Sequence, residues 1–318
     1  MGIKQLKKII KTHASKSIQT INVNSLNGKK VAIDSSILLY KFRYTYPSDD
    51  FHIIGFKNIV NDLIGNGIIP VFVFDGKPPD AKLDVLKKRG DLRKKKFEKI
   101  EILKSQLNNL NKEYLQEYID DDPESTNEKE NRNNLELLKE LELLQKNNLI
   151  ITKEHSNEVI KLLTNLGIAF FQAPGEAEEY CAFLQKNGVT DYVLTEDTDS
   201  LTFGATKVLF NATRREYSLI SLDLVLSELE MEYYSFIDFC ILSGCDYTCT
   251  IPKIGPVNAL KIIKEYSSID SFISENTKYS IPSNFDYLTA RALFIQNENY
   301  KIPELIIPEI KNNYLFIN

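Results

Sequence analysis

The sequence has no cysteine pair of the Cys-x-x-Cys kind. Its four cysteines, Cys181, Cys240, Cys245 and Cys249, lie far in sequence from the three histidines, His13, His52 and His155. Structural zinc sites recur at short, fixed ligand spacings, so this pattern argues against one. It leaves free thiols of a reducing compartment as the reading. Nowhere does the chain approach the roughly 20 consecutive apolar residues that span a bilayer, and no membrane partner is expected. The basic start, Met1-Gly-Ile-Lys-Gln-Leu-Lys-Lys8, lacks the apolar stretch of a signal peptide. Leu6 stands where a myristoylation signal needs Ser or Thr. An intracellular protein is the expectation.

Net positive charge is absent as well. The balance is −5, which taken whole argues against a polyanionic partner. Local counts reverse that impression. Residues 82–99 carry nine Lys/Arg against three acids, whereas residues 116–130 carry seven acids against Lys129 alone. Segregated charge leaves a local field that the sum conceals. A solvated helix face beside an acidic loop accounts for it equally well at this point. With 318 residues, 43% hydrophobic and 26% charged, the chain has the makings of an ordinary globular core, in one large domain or two modest ones.

Short β-branched and aromatic runs appear at Val31–Ile33, Val71–Phe74, Ile168–Phe171, Tyr192–Thr195 and Val208–Phe210. Helical patterns separate them at Phe56–Asn66, Ser156–Leu166 and Glu176–Asn187. The alternation predicts βαβ units and a largely parallel sheet. From about Leu83 to Asn148 the chain is rich in Lys, Glu, Leu, Asn and Gln, with no glycine after Gly90. Two long helices around the acidic turn Asp120-Asp-Asp-Pro-Glu-Ser-Thr126 fit that stretch. After Asp246 the pattern is helical, with Pro256 at a helix start. Beyond about Ser267 the tail carries little signal.

Ligands of a parallel sheet bind at the carboxyl ends of its strands. Asp34, Asp75 and the pair Asp197 and Asp199 stand at such ends, so the fold should bring them together. Glu176 and Glu178 follow Pro174-Gly175 at a helix start, and Asp246 sits at another turn. Any one of these aspartates reads equally as a turn or capping residue. Seven acids in one crevice repel one another unless something compensates. Hard divalent cations, which prefer carboxylate oxygens, are the natural compensation. Two such ions about 4 Å apart can ionise a water and stabilise both oxygens of a phosphodiester displacement.

At this point the chain shows a resemblance. Met1-Gly-Ile-Lys-Gln-Leu6, Val31-Ala-Ile-Asp34, Val71-Phe-Val-Phe-Asp75-Gly-Lys-Pro-Pro79, Ala173-Pro-Gly-Glu-Ala-Glu178, Thr195-Glu-Asp-Thr-Asp-Ser-Leu-Thr-Phe-Gly204 and Ile241-Leu-Ser-Gly-Cys-Asp-Tyr247 stand in the order seen in flap endonucleases and related 5′ nucleases. The similarity covers about residues 1–100 and 155–265.

The resemblance implies an α/β fold with a mostly parallel central sheet flanked by helices, a long helical arch insertion and a C-terminal helix–two-turn–helix region. It divides the chain into an N-terminal nuclease region (1–82), the arch (83–154), an internal nuclease region with the helix–two-turn–helix (155–265) and a helical tail (266–318). Together they form one nuclease domain. Asp34, Asp75, Glu176 and Glu178 resemble the ligands of a first metal, and Asp197, Asp199 and Asp246 those of a second. Mg²⁺ is implied, with Mn²⁺ able to substitute. Lys82 and Arg89, seven apart and so on one helix face, match the basic pair that reaches from the arch base toward the scissile phosphate. Tyr40 matches the tyrosine on which a base stacks, and Gly2 the glycine packed near the DNA. Lys88 and Arg93 of the basic run are further candidate contacts. The turn Thr250-Ile-Pro-Lys-Ile-Gly255-Pro256 resembles the hairpin that grips duplex backbone and holds K⁺, with Thr250, Lys253 and Gly255 as candidate contacts.

Several departures stand out. Lys253 replaces the first hairpin glycine, which questions the turn's geometry. The loop after Tyr40 is shorter than in cellular members, the arch is longer and acidic, and no C-terminal sliding-clamp motif is seen. The implied function is a metal-dependent phosphodiesterase cutting branched or 5′-flapped DNA as a monomer, in the nucleus or another site of DNA replication and repair. A 5′→3′ exonuclease, an RNA-cutting relative and a catalytically dead DNA-binding module stay open as alternatives. The acidic insert reads either as a solubilising loop or as a tip that repels duplex or pairs with Arg93, Lys94, Lys95 and Lys96.

Overall fold

A computed structural model describes residues 2–46, 48–120, 135–141, 144, 150–210, 213, 215–295 and 300–307, with side chains of 110–120 left aside. The chain divides into two compact units, Met1–Leu83 with Thr152–Asn318, and Asp84–Ile151.

The first unit is built on a seven-stranded sheet. Its strands are β1 (Ile18–Asn22), β2 (Lys30–Asp34), β3 (Ile69–Phe74), β4 (Ala169–Gln172), β5 (Tyr192–Leu194), β6 (Lys207–Phe210) and β7 (Glu216–Ser221). They lie in the order β1-β7-β6-β5-β2-β3-β4. From β6 to β4 every pairing is parallel, while β7 is antiparallel to both β6 and β1. The α/β fold with a mostly parallel sheet is therefore as the sequence implies. All five runs read as strands belong to the parallel block. In β2 and β3 nearly every residue is buried, which is why they read as continuous apolar runs.

The edge pair β1 and β7 went unread. Ile-Gln-Thr-Ile-Asn and Glu-Tyr-Ser-Leu-Ile-Ser are mixed in polarity, and their pairing with each other supplies the order that local pattern does not. The tail is also better defined than its sequence suggested. Helices Ile269–Glu275 and Tyr287–Ile295 are fixed by Arg291, whose guanidinium donates to both oxygens of buried Asp238 at 2.8 and 2.7 Å and to Asp270 at 2.6 Å.

The second unit contains the helix Leu83–Asp120 from Asp84 onward, and helical residues 135–141. Among the described residues, Ile100, Leu103 and Leu107, spaced along one face, are its buried apolar side chains, and Lys99 donates to Glu140 at 2.6 Å. From residue 121 the acidic turn lies outside the described residues. Lys82 is not on that helix. It ends the single 3₁₀ turn Asp80–Lys82, so the face-sharing expected from its spacing to Arg89 does not apply as stated. Among the described residues no helix is long and apolar enough to cross a membrane, and the four cysteines are free.

One backbone contact sets how two loops at the strand ends meet. Gly76 N–H donates to the Gly175 carbonyl at 2.7 Å. A Cβ at position 76 would come 2.0 Å from the Ala173 carbonyl oxygen and 2.7 Å from that of Pro174. Only glycine permits this approach. Gly76→Ala should therefore cost about 1–3 kcal/mol, the range for overpacking a close-fitted site. Denaturant unfolding measures it, and an unchanged midpoint would show that the loops part easily.

Candidate metal centre at the carboxyl ends of the parallel strands

Asp34 is the last residue of β2 and caps the helix Ser35–Thr45. Its Oδ1 accepts the backbone N–H groups of Ser36 (3.0 Å) and Ile37 (3.3 Å), and its Oδ2 accepts the Thr195 hydroxyl (3.1 Å). Asp75 follows β3 directly, and the first helical N–H of Ala177–Lys186 donates to it at 2.9 Å. That bond ties the β3 end to the helix that carries Glu178, with Glu176 as its N-cap. Asp197 and Asp199 follow β5. The Asp199 N–H donates to Asp197 at 3.1 Å, and Asp199 in turn accepts the Ile3 N–H at 2.7 Å. Asp246 follows the helix Tyr233–Ser243.

A cation stands among these acids. The Lys82 ammonium pairs with Glu176 and lies 3.8 Å from Glu178 and 3.7 Å from Asp246. It is 8% exposed, which few lysines are unless paired. Tyr247 donates its hydroxyl to the other oxygen of Glu176. One cation does not neutralise the group. Burial, then the charges of Glu176 and Asp34, push Glu178 well above the ordinary carboxylate range, against the pull of Lys82. Burial, then Asp197 and Asp246, do the same to Asp199. Burial raises Asp197. Burial and the charge of Asp75 bring Asp34 up to about 7. Burial alone would lower Lys82, but Glu178 and Glu176 outweigh it and hold the ammonium charged.

Glu178, Asp197 and Asp199, all buried, each offer an oxygen within 4.8 Å of the others. Buried carboxylate oxygens with only one shared ammonium as countercharge are the donor set of a hard divalent cation, so the residues present fit a metal. These three come from both of the ligand sets that the resemblance implies.

The remaining candidates are placed as follows. Gly2 adopts φ +87°, and a Cβ there would come 2.0 Å from the nearer Asp197 oxygen, so it packs on the acidic cluster itself. Tyr40 is 39% exposed on the helix Ser35–Thr45. Lys253 adopts φ +68°, so the hairpin turn takes a left-handed residue without glycine, and Asn258 donates to its carbonyl at 2.8 Å. Gly255, extended, precedes Pro256–Tyr266, and Thr250 is half-buried. Lys88, Arg89 and Arg93 belong to the second unit, where Arg93 Nε donates to the Arg89 carbonyl at 3.4 Å. The sequence reading missed Thr195 and Tyr247, although both stand inside the quoted motifs beside an acid. It also missed that Lys82 is an internal countercharge, which no local pattern signals.

Residues 1–96 match the XPG N-terminal domain and residues 167–246 the XPG I-region. Flap endonuclease 1 of Cryptosporidium parvum is 36% identical over 96% of this chain and 64% of its own length. Flap endonuclease 1 of Drosophila mojavensis is 36% identical over 94% of this chain and 74% of its own. The chain belongs to the flap endonuclease family. It spans a little under two thirds of the Cryptosporidium relative and about three quarters of the Drosophila one. Among solved structures, the catalytic core of Rad2 in complex with DNA substrate superposes with a TM-score of 0.69 at 20% identity, over 96% of this chain and 90% of that one. At that identity the likeness speaks to the fold of this family member alone.

The raised carboxyls give a pH dependence whose sign is fixed. Between its ordinary 3.8 and about 7, Asp34 is protonated in the fold and ionised in the unfolded chain. The native state then binds more protons, so stability falls as pH rises through that window. The melting temperature of the protein in EDTA should drop between about pH 5 and about pH 8, and a divalent ion should restore more of it at the upper value. Calorimetry at several pH values checks this, and a melting temperature that climbs across the window would contradict it.

Proposed function

We propose that this chain is a structure-specific 5′ nuclease that hydrolyses phosphodiester bonds in branched or 5′-flapped DNA, with two Mg²⁺ ions, or Mn²⁺ in their place. The observation that carries this reading is the convergence of buried Glu178, Asp197 and Asp199 within 4.8 Å of one another, beside a Lys82 ammonium that also meets Glu176 and Asp246. A binding module with no chemistry has no use for so much buried, uncompensated negative charge, which destabilises the fold that carries it.

Asp34, Asp75, Glu176 and Glu178 would hold one ion and Asp197, Asp199 and Asp246 the other. Hard divalent ions bound there supply a water of lowered pKa and neutralise charge on the phosphodiester. The chain's own groups do the rest. Backbone N–H donors fix the aspartates before any ligand arrives, so little reorganisation is left for the reacting state. Lys82, charged and buried, offsets part of the cluster's charge and would be the cation that meets the scissile phosphate. Arg89, Lys88 and Arg93 of the 84–151 unit serve as the basic face of an arch. Tyr40, exposed, offers a stacking surface to a base. The hairpin Thr250–Gly255 offers backbone groups to duplex phosphates and to K⁺, without reading sequence. DNA as partner accords with the substrate held by the Rad2 core of the same fold.

Two variants test the reading on a panel of flapped, nicked and plain duplexes in Mg²⁺ and in EDTA. Asp197→Ala should abolish cleavage yet bind branched DNA within a few-fold of wild type, because Asp197 faces the acidic cluster. Lys82→Ala should slow single-turnover cleavage roughly 10²-fold, the loss typical of one transition-state electrostatic contact. Wild-type rates in Asp197→Ala would remove the carboxylate cluster from the chemistry. Cleavage by the wild type that persists in EDTA would do the same for the metal.

A further inference from the structure

We propose that Tyr300 is a positioning residue for the carboxylate centre, acting through Glu179 on the helix start that presents Glu176 and Glu178. The proposal rests on the nuclease reading above for what the centre does, but its geometry stands apart from it.

Glu176 needs such support. It is the N-cap of Ala177–Lys186, yet its own side chain makes no capping bond, because Lys82 and Tyr247 occupy both carboxylate oxygens. The third residue of that helix, Glu179, stands at the position of the returning acid of a capping box, with its carboxylate against the turn that precedes Glu176. A side chain in that role must be held, and Glu179 is held from the far end of the chain. The Tyr300 hydroxyl donates to Glu179 Oε1 at 3.1 Å.

The tyrosine is itself fixed. Its ring meets Tyr180 at 5.8 Å and Phe183 at 5.4 Å, both edge-to-face and both on the helix that carries Glu179. It also closes on the preceding turn. A Cβ at Gly175 would stand 2.8 Å from Glu179 Oε2 and 3.3 Å from the Tyr300 oxygen, so both side chains lie against the backbone just before Glu176. Tyr300, Glu179, Glu176 and Tyr247 line a single cavity of about 230 Å³. Tyr300 thus touches the turn, the cap and the body of one helix, and two of the seven acids ride on the first turn of that helix. Residues that orient a metal's ligands without touching the metal typically matter 10–100-fold to its affinity.

The test uses the full chain and reads divalent-ion binding by calorimetric titration with Mn²⁺, alongside circular dichroism. Tyr300→Phe keeps the ring and deletes the hydroxyl, and should weaken Mn²⁺ binding about 10-fold with the fold intact. Glu179→Gln, which still accepts the Tyr300 hydroxyl, should retain most of the affinity, whereas Glu179→Ala should match Tyr300→Phe. Wild-type Mn²⁺ affinity in a folded Tyr300→Phe would overturn the proposal, and the phenylalanine variant decides the matter even if Tyr300→Ala does not fold. Failure of the underlying reading looks different, because then the wild type itself would neither bind Mn²⁺ nor cleave branched DNA.

Discussion

The ammonium of Lys82, set among Glu176, Glu178 and Asp246, is the interaction on which the rest of the centre depends. Without a cation there, buried carboxylates at the ends of adjacent strands would repel one another with little solvent to screen them. With one, the group is held together but undercharged. Burial first, and then neighbouring acids for Asp34, Glu178 and Asp199, push these carboxyls and that of Asp197 upward. The arrangement therefore attracts further positive charge. A lysine on a flexible stem is suited to that place, because it can move where a fixed guanidinium fork would resist.

Backbone donors complete what the lysine begins. Asp75 takes an N–H from Ala177, Asp197 one from Asp199, and Asp199 one from Ile3. Each of these bonds engages one carboxylate oxygen, whereas Asp34 has both engaged, by Ser36, Ile37 and Thr195. The bonds also explain why the N-terminal segment belongs to the centre. Ile3 is tied to Asp199, and Gly2 lies on Asp197 so closely that no side chain would fit.

The centre was legible in the sequence because its acids are covalently attached to strand ends, and strand ends are what local apolar pattern reveals best. Asp34, Asp75, Asp197 and Asp199 follow their strands within a few residues, so finding β2, β3 and β5 nearly locates them. The edge strand β1 and its neighbour β7 escaped because their polarity is mixed and their pairing joins residues far apart in the chain, as Ile18 opposite Ile220 illustrates. Lys82 read as part of a basic run, since nothing local separates a buried lysine from its exposed neighbours Lys87 and Lys88. Tyr300 and Arg291 were silent for the same reason. Their partners, Glu179 and Asp238, lie 121 and 53 residues away, and only the folded chain brings them together.

Lys253 shows how a departure from family pattern can be absorbed. A non-glycine residue in the left-handed region costs on the order of 1–3 kcal/mol and persists only where the surroundings over-determine it. Here they do. Ile251 and Ile254 on either side are buried, Ile254 N–H donates to the Ile251 carbonyl at 3.1 Å, and Asn258 fastens the Lys253 carbonyl. The helices Tyr233–Ser243 and Pro256–Tyr266 then pack together across the turn. Backbone geometry at such a hairpin is thus set by its apolar anchors and not by the identity of one residue. The side chain at 253, freed from that duty and exposed, adds a positive charge at the turn where the family's glycine offers only backbone.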